Sequence, residues 1–573
     1  MTKQSILRSL ALVGAAAFVL SSCGAKFRPL TSKHVTAEPQ PLEVRGGEVP
    51  AKVHITFPAK SFPKKATLKI TPVLRYKGGE KWGQTHAYQG EKVYGNDVVV
   101  SYKEGGNVVL HFSVPYKSEM AKSELYLTFH GKIGSKSVKL PDLKIGSGII
   151  ATEALATLRG VHPAIAPDGF QRIIKESYDA NIMFQIQQSN VRSSEINKQD
   201  VEEWAYIVQN AKEAPDQEVS VEVQAYASPD GGAKLNERLS EARERNTTAS
   251  LKQQFRKQKL SGVAIDAHYT AQDWEGFKTL VEQSDLQDKE LVLRVLSMYP
   301  DPEQREREIR NISAVFSQLA DDVLPKLRRS RLLANVKIIG KSDAEIQDWV
   351  AKAPGHLTIE ELLYAATLAK TPEEKMSIYQ VVNKIFPKDY KAYNNIGALL
   401  FAQGKLDQAE LWFNQAAKRA DNSVTKMNQG LISLAKGESD KATTLIASAT
   451  DVPELGQALG YLYLKQGEYA KAETAFGETL SNNAAVAQLL NGNYAKALKT
   501  LSAVATPDAT THLIKAIVGA RSGDVKLATE ALEMVAKLDP SMLSGVADNI
   551  EFAKYLSNPD MARVLALAPN MLK

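Results

Sequence analysis

One cysteine, Cys23, is present in 573 residues. No disulfide can therefore form within one chain, and stability must come from packed cores, which this length supplies. Long hydrophobic stretches are also missing: the apolar run Leu10–Leu20 falls short of the roughly 20 residues a membrane-spanning helix needs. Strong charge of one sign is absent. A formal net charge of +6 is too mild to argue for nucleic acid as a partner. There is no Gly-x-Ser-x-Gly, no His-Glu-x-x-His and no Gly-x-x-x-x-Gly-Lys, and no cysteine is available as a nucleophile, so the common motifs of hydrolases, zinc proteases and nucleotide-binding enzymes are excluded. Asp and Glu are plentiful but none stands out, which leaves a glycosidase-like carboxylate pair as a remote reading. What remains is ordinary globular composition, 44% hydrophobic and 24% charged, and a length that implies three or four domains at about 150 residues each.

The N-terminus carries Lys3 and Arg8, then the apolar run, then Leu20-Ser21-Ser22-Cys23. Basic, apolar and small-residue regions in that order make a secretory signal. With the sole cysteine closing it, the tetrapeptide resembles the lipobox of bacterial lipoproteins. That resemblance implies cleavage at residues 1–22, diacylglycerol and an N-acyl chain on Cys23, and no other cofactor. Several acyl chains suffice for stable anchoring. Gly24-Ala25-Lys26-Phe27-Arg28 has neither the acidic run of surface-exported lipoproteins nor the acidic residue that marks inner-membrane retention, so the resemblance points to the periplasmic face of the outer membrane. Residues 23–48, with Pro29, Pro39 and Pro41, read as a partly extended tether.

From residue 49 to 155 apolar residues alternate: Val53-His54-Ile55-Thr56-Phe57, Ala66 to Thr71, Val108 to Phe112 and Glu124 to Phe129, with Gly78-Gly79 and Gly105-Gly106 at turns. Short strands at this spacing predict a β-sandwich. His54, His86, His111 and His130 are irregularly spaced and read as strand histidines, not as a metal site.

Residues 170–345 are mixed α/β. Strands are expected at Asn181–Ile186, Val219–Tyr226 and Asn335–Ile339, with helices through Val201–Ala211 and Asn236–Arg245. The run Ala225-Tyr226-Ala227-Ser228-Pro229-Asp230-Gly231, followed by Asn236, Leu239-Ser240 and Arg243, is similar to the OmpA C-terminal-like family. The resemblance implies a β-α-β-α-β fold and a ligand in peptidoglycan, the carboxylate and amine of diaminopimelate. Arg243 matches the family arginine and suits a carboxylate. Ser228 stands where the family has aspartate, with Asp230 two residues on as the candidate acid. Ser228, Asp230, Asn236 and Arg243 thus form the expected site. An insertion, 270–332, holds helical patterns and a charge-dense stretch, Glu303–Arg310. The basic run Lys326–Arg331 reads as a loop.

The last third, 355–573, repeats. Gly404–Ala409, Gly437–Ala442, Gly467–Ala472, Gly492–Ala497 and Gly523–Ala528 share one internal spacing, and Phe413, Ile446, Phe476, Leu501 and Leu532 each follow the alanine by four. Gly397, Gly430 and Gly460 mark close helix approaches upstream. The pattern resembles the tetratricopeptide repeat, whose period is about 34 residues. It implies stacked helix pairs with a concave face that binds a protein. A degenerate repeat over Leu357–Pro387 opens the array, and the fourth repeat is short.

The fold class expected is thus multidomain: β-sandwich, α/β domain with helical insertion, and all-α superhelix. Three functional readings follow. The chain is a non-catalytic adaptor tied to the outer membrane by lipid, to peptidoglycan by the central domain and to a protein by the repeats. Alternatively it is a pure protein-assembly scaffold without peptidoglycan binding. The third is a glycan-active enzyme.

Overall fold

The computed structural model describes residues 26–260, 262–286 and 288–569; the signal segment and Cys23 lie outside the described residues. The chain divides into two compact units, one made of Met1–Ala166 with Pro387–Lys573, the other of Pro167–Phe386. The β-rich N-terminus and the helical C-terminus therefore belong to one body, with the α/β region inserted between them in sequence.

In the first unit two sheets enclose one core. Strands β1 (Val35–Glu38), β2 (Leu42–Glu43), β3 (Ala51–Phe57), β4 (Ala66–Tyr76), β5 (Gly79–Trp82), β6 (His86–Gly90), β7 (Val98–Val100), β8 (Gly106–Phe112), β9 (Ser123–Ile133), β10 (Lys136–Lys139), β11 (Leu143–Ser147) and β12 (Ile149–Ile150) occur in chain order. One sheet runs β1-β3-β8 and the other β10-β9-β4-β6-β7, with β11 on β9 and β5 on β4. Alternation dictates which side chains turn inward: Val53, Ile55, Phe57, Leu110 and Phe112 from the first sheet meet Leu68, Ile70, Leu125 and Leu127 from the second. All four predicted strands are present.

The expected tether is corrected here. Phe27 is buried against Phe62, with ring centroids 5.3 Å apart, and β1 pairs antiparallel with β3. The physical cause is the alternation Val35-Thr36-Ala37-Glu38, which buries Val35 and Ala37. Residues 26–48 are part of the fold.

The second unit centres on a four-stranded sheet of β13 (Ile173–Met183), β14 (Gln217–Tyr226), β15 (Ala264–Thr270) and β16 (Arg329–Ile339), in the order β13-β16-β14-β15. Only β14 and β15 are parallel. Helices α1 (Gln199–Glu213) and α2 (Ala233–Lys257) supply Val201, Trp204, Val208, Leu251 and Phe255 to a core shared with Ala180, Ile182, Val221, Val223 and Leu332. The insertion folds as α3 (Trp274–Glu282), α4 (Lys289–Met298), α5 (Pro302–Asn311) and α6 (Ser313–Asp322) around its own core of Phe277, Val281, Val292 and Leu319. The basic run is a second correction. Arg329 and Arg331 open β16, because Ser330 and Leu332 alternate inward and are fully buried. Helices α7 (Asp343–Lys352), α8 (Ile359–Leu368) and α9 (Pro372–Ile385) complete this unit, so the pair expected to open the repeat array groups with the α/β region.

The first unit resumes with five helix pairs: α10 (Lys391–Ala402) and α11 (Leu406–Ala417), α12 (Ser423–Ala435) and α13 (Ser439–Ala447), α14 (Leu455–Lys465) and α15 (Tyr469–Phe476), α16 (Asn482–Leu490) and α17 (Tyr494–Ser502), α18 (Ala509–Ser522) and α19 (Val525–Leu538). The glycines between partners, Gly404 through Gly523, have φ of 70 to 84°, the left-handed conformation that ends a helix and that glycine adopts without penalty. The upstream glycines are close-approach positions. A Cβ on Gly397, Gly430 or Gly460 would sit 2.5 to 2.6 Å from Phe413, Ile446 or Phe476, the large residues that fill each pair.

Candidate functional site

Helix interiors disfavour asparagine unless its amide finds a partner. The first helices of the repeats nevertheless bury Asn394, Asn395, Asn428 and Asn483, each 2% exposed or less. Three of these, Asn395, Asn428 and Asn483, stand nine residues before the turn glycine of their repeats. Register places them on one face of the stack, and that face holds residues 157–166 of the same chain.

The contacts are almost wholly to main-chain atoms. Asn395 accepts from the Ala166 N–H at 2.8 Å and donates to its carbonyl at 3.0 Å. Asn428 does the same to Ala164, at 2.7 and 2.8 Å, and Asn483 to Thr157, at 2.9 and 2.8 Å. Asn394 adds a second bond to the Ala164 carbonyl at 2.9 Å, and its own oxygen accepts from Asn428 at 2.8 Å. In the third repeat the equivalent position is Ala458, and the preceding Gln457 meets the His162 N–H at 3.5 Å. Each bidentate amide satisfies the donor and the acceptor of one extended residue, as a neighbouring β-strand would. Ala164 and Ala166 are buried while Ile165 between them is 48% exposed, the alternation of an extended chain. The segment runs from the fourth repeat back to the first.

A polar lock flanks this groove. Glu153, 1% exposed, accepts from the Gly46 N–H at 2.7 Å, the Gly47 N–H at 2.8 Å and the Tyr469 hydroxyl at 2.8 Å. Burial, reinforced by the Glu153 charge, raises the Tyr469 hydroxyl well above the usual phenol range. Arg521 on α18 donates from Nε to both oxygens of Glu551 at 3.0 Å and from Nη2 to Glu43 at 3.0 Å. Burial pulls that guanidinium down, but the bonds and charges of Glu551 and Glu43 outweigh it and hold it above its ordinary value. Thr152 donates to the same Glu551 carboxylate.

In the second unit the four sequence-predicted residues lie around the turn after β14. Asn236 donates to the carbonyls of Ser228 at 2.9 Å and Gly231 at 2.7 Å, which holds the turn closed over the start of α2. The Ser228 hydroxyl donates to the Asp230 carboxylate. Arg328, unassigned from sequence, donates to Asp230 at 3.1 Å and to the Ser228 oxygen at 3.2 Å. Arg243 is 1% exposed and donates to the carbonyls of Gln188 at 3.0 Å, Tyr226 at 2.8 Å and Gln185 at 3.4 Å, with its guanidinium 5.0 Å from the Phe184 ring centroid. Burial, then the like charge of Arg328, lowers its pKa to about 10, with Asp230 opposing. Acid and base are thus both partnered within the fold: Asp230 by Arg328, and Arg243 by three carbonyls. Arg329 pairs with Asp273 at 3.0 Å and Arg331 with Asp179 at 3.3 Å, so each arginine of the basic run has a carboxylate partner.

Among the described residues no group of three or more His, Cys, Asp or Glu is placed to hold a metal ion, and no helix is long and apolar enough to cross a membrane.

A tetratricopeptide repeat family model matches residues 378–424. BBSome complex member BBS4 of Bos taurus is 30% identical over 110 residues, 18% of this chain; the chain spans 21% of that relative's length. Among solved structures, a tetratricopeptide repeat protein from Parabacteroides merdae is similar at 12% identity and a TM-score of 0.28, over 40% of this chain and 91% of that one. The pilF structure of Pseudomonas aeruginosa is similar at 14% identity and a TM-score of 0.28, over 37% and 99%. Superpositions this loose carry no weight beside the helix pairs themselves. With the matched segment and five pairs turned by left-handed glycines, the C-terminal region of this chain carries tetratricopeptide repeats.

Proposed function

We propose that this protein is a non-catalytic scaffold of a bacterial envelope, held at the periplasmic face of the outer membrane by acyl chains on Cys23 and presenting its repeats to a protein partner. The observation that carries the scaffold reading is the stack of five helix pairs joined into one body with the N-terminal β region. Repeat arrays of this kind expose extended surface and suit protein recognition. Lipid anchoring rests on the sequence Leu20-Ser21-Ser22-Cys23 alone.

Between an adaptor to peptidoglycan and a scaffold without it, the central site favours the second. The order of strands and helices in the second unit is compatible with the OmpA C-terminal-like resemblance. A zwitterionic ligand, however, needs an acid and a base with free valences, and here Asp230 and Arg243 already have partners. Cross-linked affinity capture with the full chain tests the scaffold reading: a protein partner is expected from wild type and lost when exposed repeat residues such as Leu411, 67% exposed, are replaced by glutamate. Co-sedimentation with purified sacculi tests the choice between the two. Wild type is expected in the supernatant, and saturable pelleting abolished by Asp230→Ala would restore the adaptor reading.

A further inference from the structure

We propose that residues 157–166 are a resident pseudoligand of the repeat groove, and that the partner that displaces them is a largely extended peptide with compact, uncharged side chains at its inward positions. The proposal rests on the scaffold reading and says how one surface of that scaffold is opened.

Four observations carry it. The bonds from Asn395, Asn428, Asn483, Asn394 and Gln457 all end on N–H and C=O groups of the segment, so these polar contacts read backbone. The inward side chains are compact and apolar: Val161, Ala164 and Ala166 are 2%, 0% and 1% exposed and Pro163 is buried, while Ile165 points outward. The asparagines occupy one repeated register, nine before the turn glycine in three repeats, and they bond Thr157, Ala164 and Ala166, with a 3-10 turn at Leu158–Gly160 between the first rung and the other two. Finally, the β region is fastened to the repeats independently, through Glu153 to Gly46, Gly47 and Tyr469 and through Arg521 to Glu43 and Glu551. The segment can leave without undoing that attachment.

Covalent linkage gives the resident segment an effective concentration in about the millimolar range. A free strand of the same kind therefore binds wild type with an affinity reduced by the fraction of chains in which the groove is open. The test uses the full chain and a fluorescein-labelled synthetic peptide with the sequence of residues 157–166, read by fluorescence polarisation. The double variant Ala164→Asp and Ala166→Asp evicts the resident, since neither carboxylate fits the closed positions. Its cooperative unfolding and far-UV spectrum check the fold. At least about 100-fold tighter peptide binding than wild type is expected, with at least a tenfold loss on adding Asn428→Ala. Equal binding by evicted variant and wild type, or binding untouched by Asn428→Ala, overturns the proposal. Should the evicted variant not fold, amide exchange in wild type decides. Exchange of the Ala164 and Ala166 amides through local opening, well below the denaturant needed to unfold the unit, supports a removable segment. Exchange only through global unfolding makes it a permanent core element and overturns the proposal. Because the probe is the chain's own peptide, either failure leaves partner capture by the remaining repeat surface as a separate test of the scaffold reading.

Discussion

Replacing Arg521 by alanine probes the junction between the chain's two ends. Glu551 is 4% exposed at its side chain and Arg521 19%, so the variant leaves a buried carboxylate facing Thr152 and the second carboxylate, Glu43, with no cation between them. Breaking a buried pair in this way costs about 3–5 kcal/mol, chiefly from the uncompensated charge. The first unit has roughly 320 described residues and thus, at about 2.1 cal/mol/K per residue, an unfolding entropy near 0.7 kcal/mol/K, so its melting temperature should fall by about 4–7 °C. Differential scanning calorimetry of the full chain reads this shift, and the transition of the second unit should not move. The control is the double variant Arg521→Gln with Glu551→Gln, which removes both charges and keeps hydrogen-bonding groups in place. It should recover more than half of the loss, because a buried ion pair is worth little against a neutral pair of similar shape. A shift below about 1 °C for the single variant, or a double variant no more stable than the single, would refute the reasoning.

Asn428→Ala should destabilise the first unit by about 1–3 kcal/mol, since it orphans the N–H of buried Ala164 and the side-chain oxygen of buried Asn394, while the Ala164 carbonyl keeps its bond from Asn394; a denaturant midpoint measured against wild type checks it. Gly430→Ala, whose Cβ would stand 2.5 Å from the Ile446 Cγ1, should cost about 1–3 kcal/mol by overpacking, and combined with Ile446→Ala, which removes that γ carbon, the two losses should come to less than their sum. Burial pushes Glu473 up, but donors from Asn491, Asn493 and Lys496 outweigh it and hold the carboxyl below its ordinary 4.5. Its stabilisation is therefore complete above 4.5 and lost as pH falls through the lower folded value, so Glu473→Gln should flatten the acid limb of stability against pH, read by urea titrations on acidification. Arg243→Ala should lower the stability of the second unit, because three carbonyls lose a charged donor, worth about 1.5–3 kcal/mol for a bond of that kind. An unchanged midpoint in urea would show that those bonds contribute nothing.

Most of the architecture was legible from local pattern. Strict alternation in Val53–Phe57 and Glu124–Phe129 announced strands because a half-buried sheet imposes period two, and the glycine–alanine–large-residue spacing announced helix pairs because each position has a fixed steric task. The shortened fourth repeat was visible too, and α16 has nine residues against fourteen in α18. What local pattern did not disclose was association across distance. Val35–Glu38 is only four residues long and lies among prolines, so its pairing with β3 has little local signature. The groove segment fell between the expected boundaries at 155 and 170, since a short 3-10 turn, Leu158–Gly160, and an extended stretch bonded by side chains have no periodicity of their own. The signal for it lay elsewhere, in the asparagines at one register of the repeats, where buried amides without helical purpose imply a ligand. In the central site, Asn236 and Arg243 were found from motif, but Arg328, nearly a hundred residues from Asp230, was hidden because ion pairing between distant segments leaves no mark in spacing.

The central structural claim is that residues 35–150 and the repeats form one folding unit around residues 157–166. Hydrogen-exchange mass spectrometry of the full chain along a denaturant titration tests it directly. Peptides from β3, β4 and β9 and peptides from α12, α14 and α16 are expected to lose protection at a common midpoint, with the Arg521→Ala variant moving both together. Protection lost in the β region at a midpoint of its own, unmoved by Arg521→Ala, would contradict it.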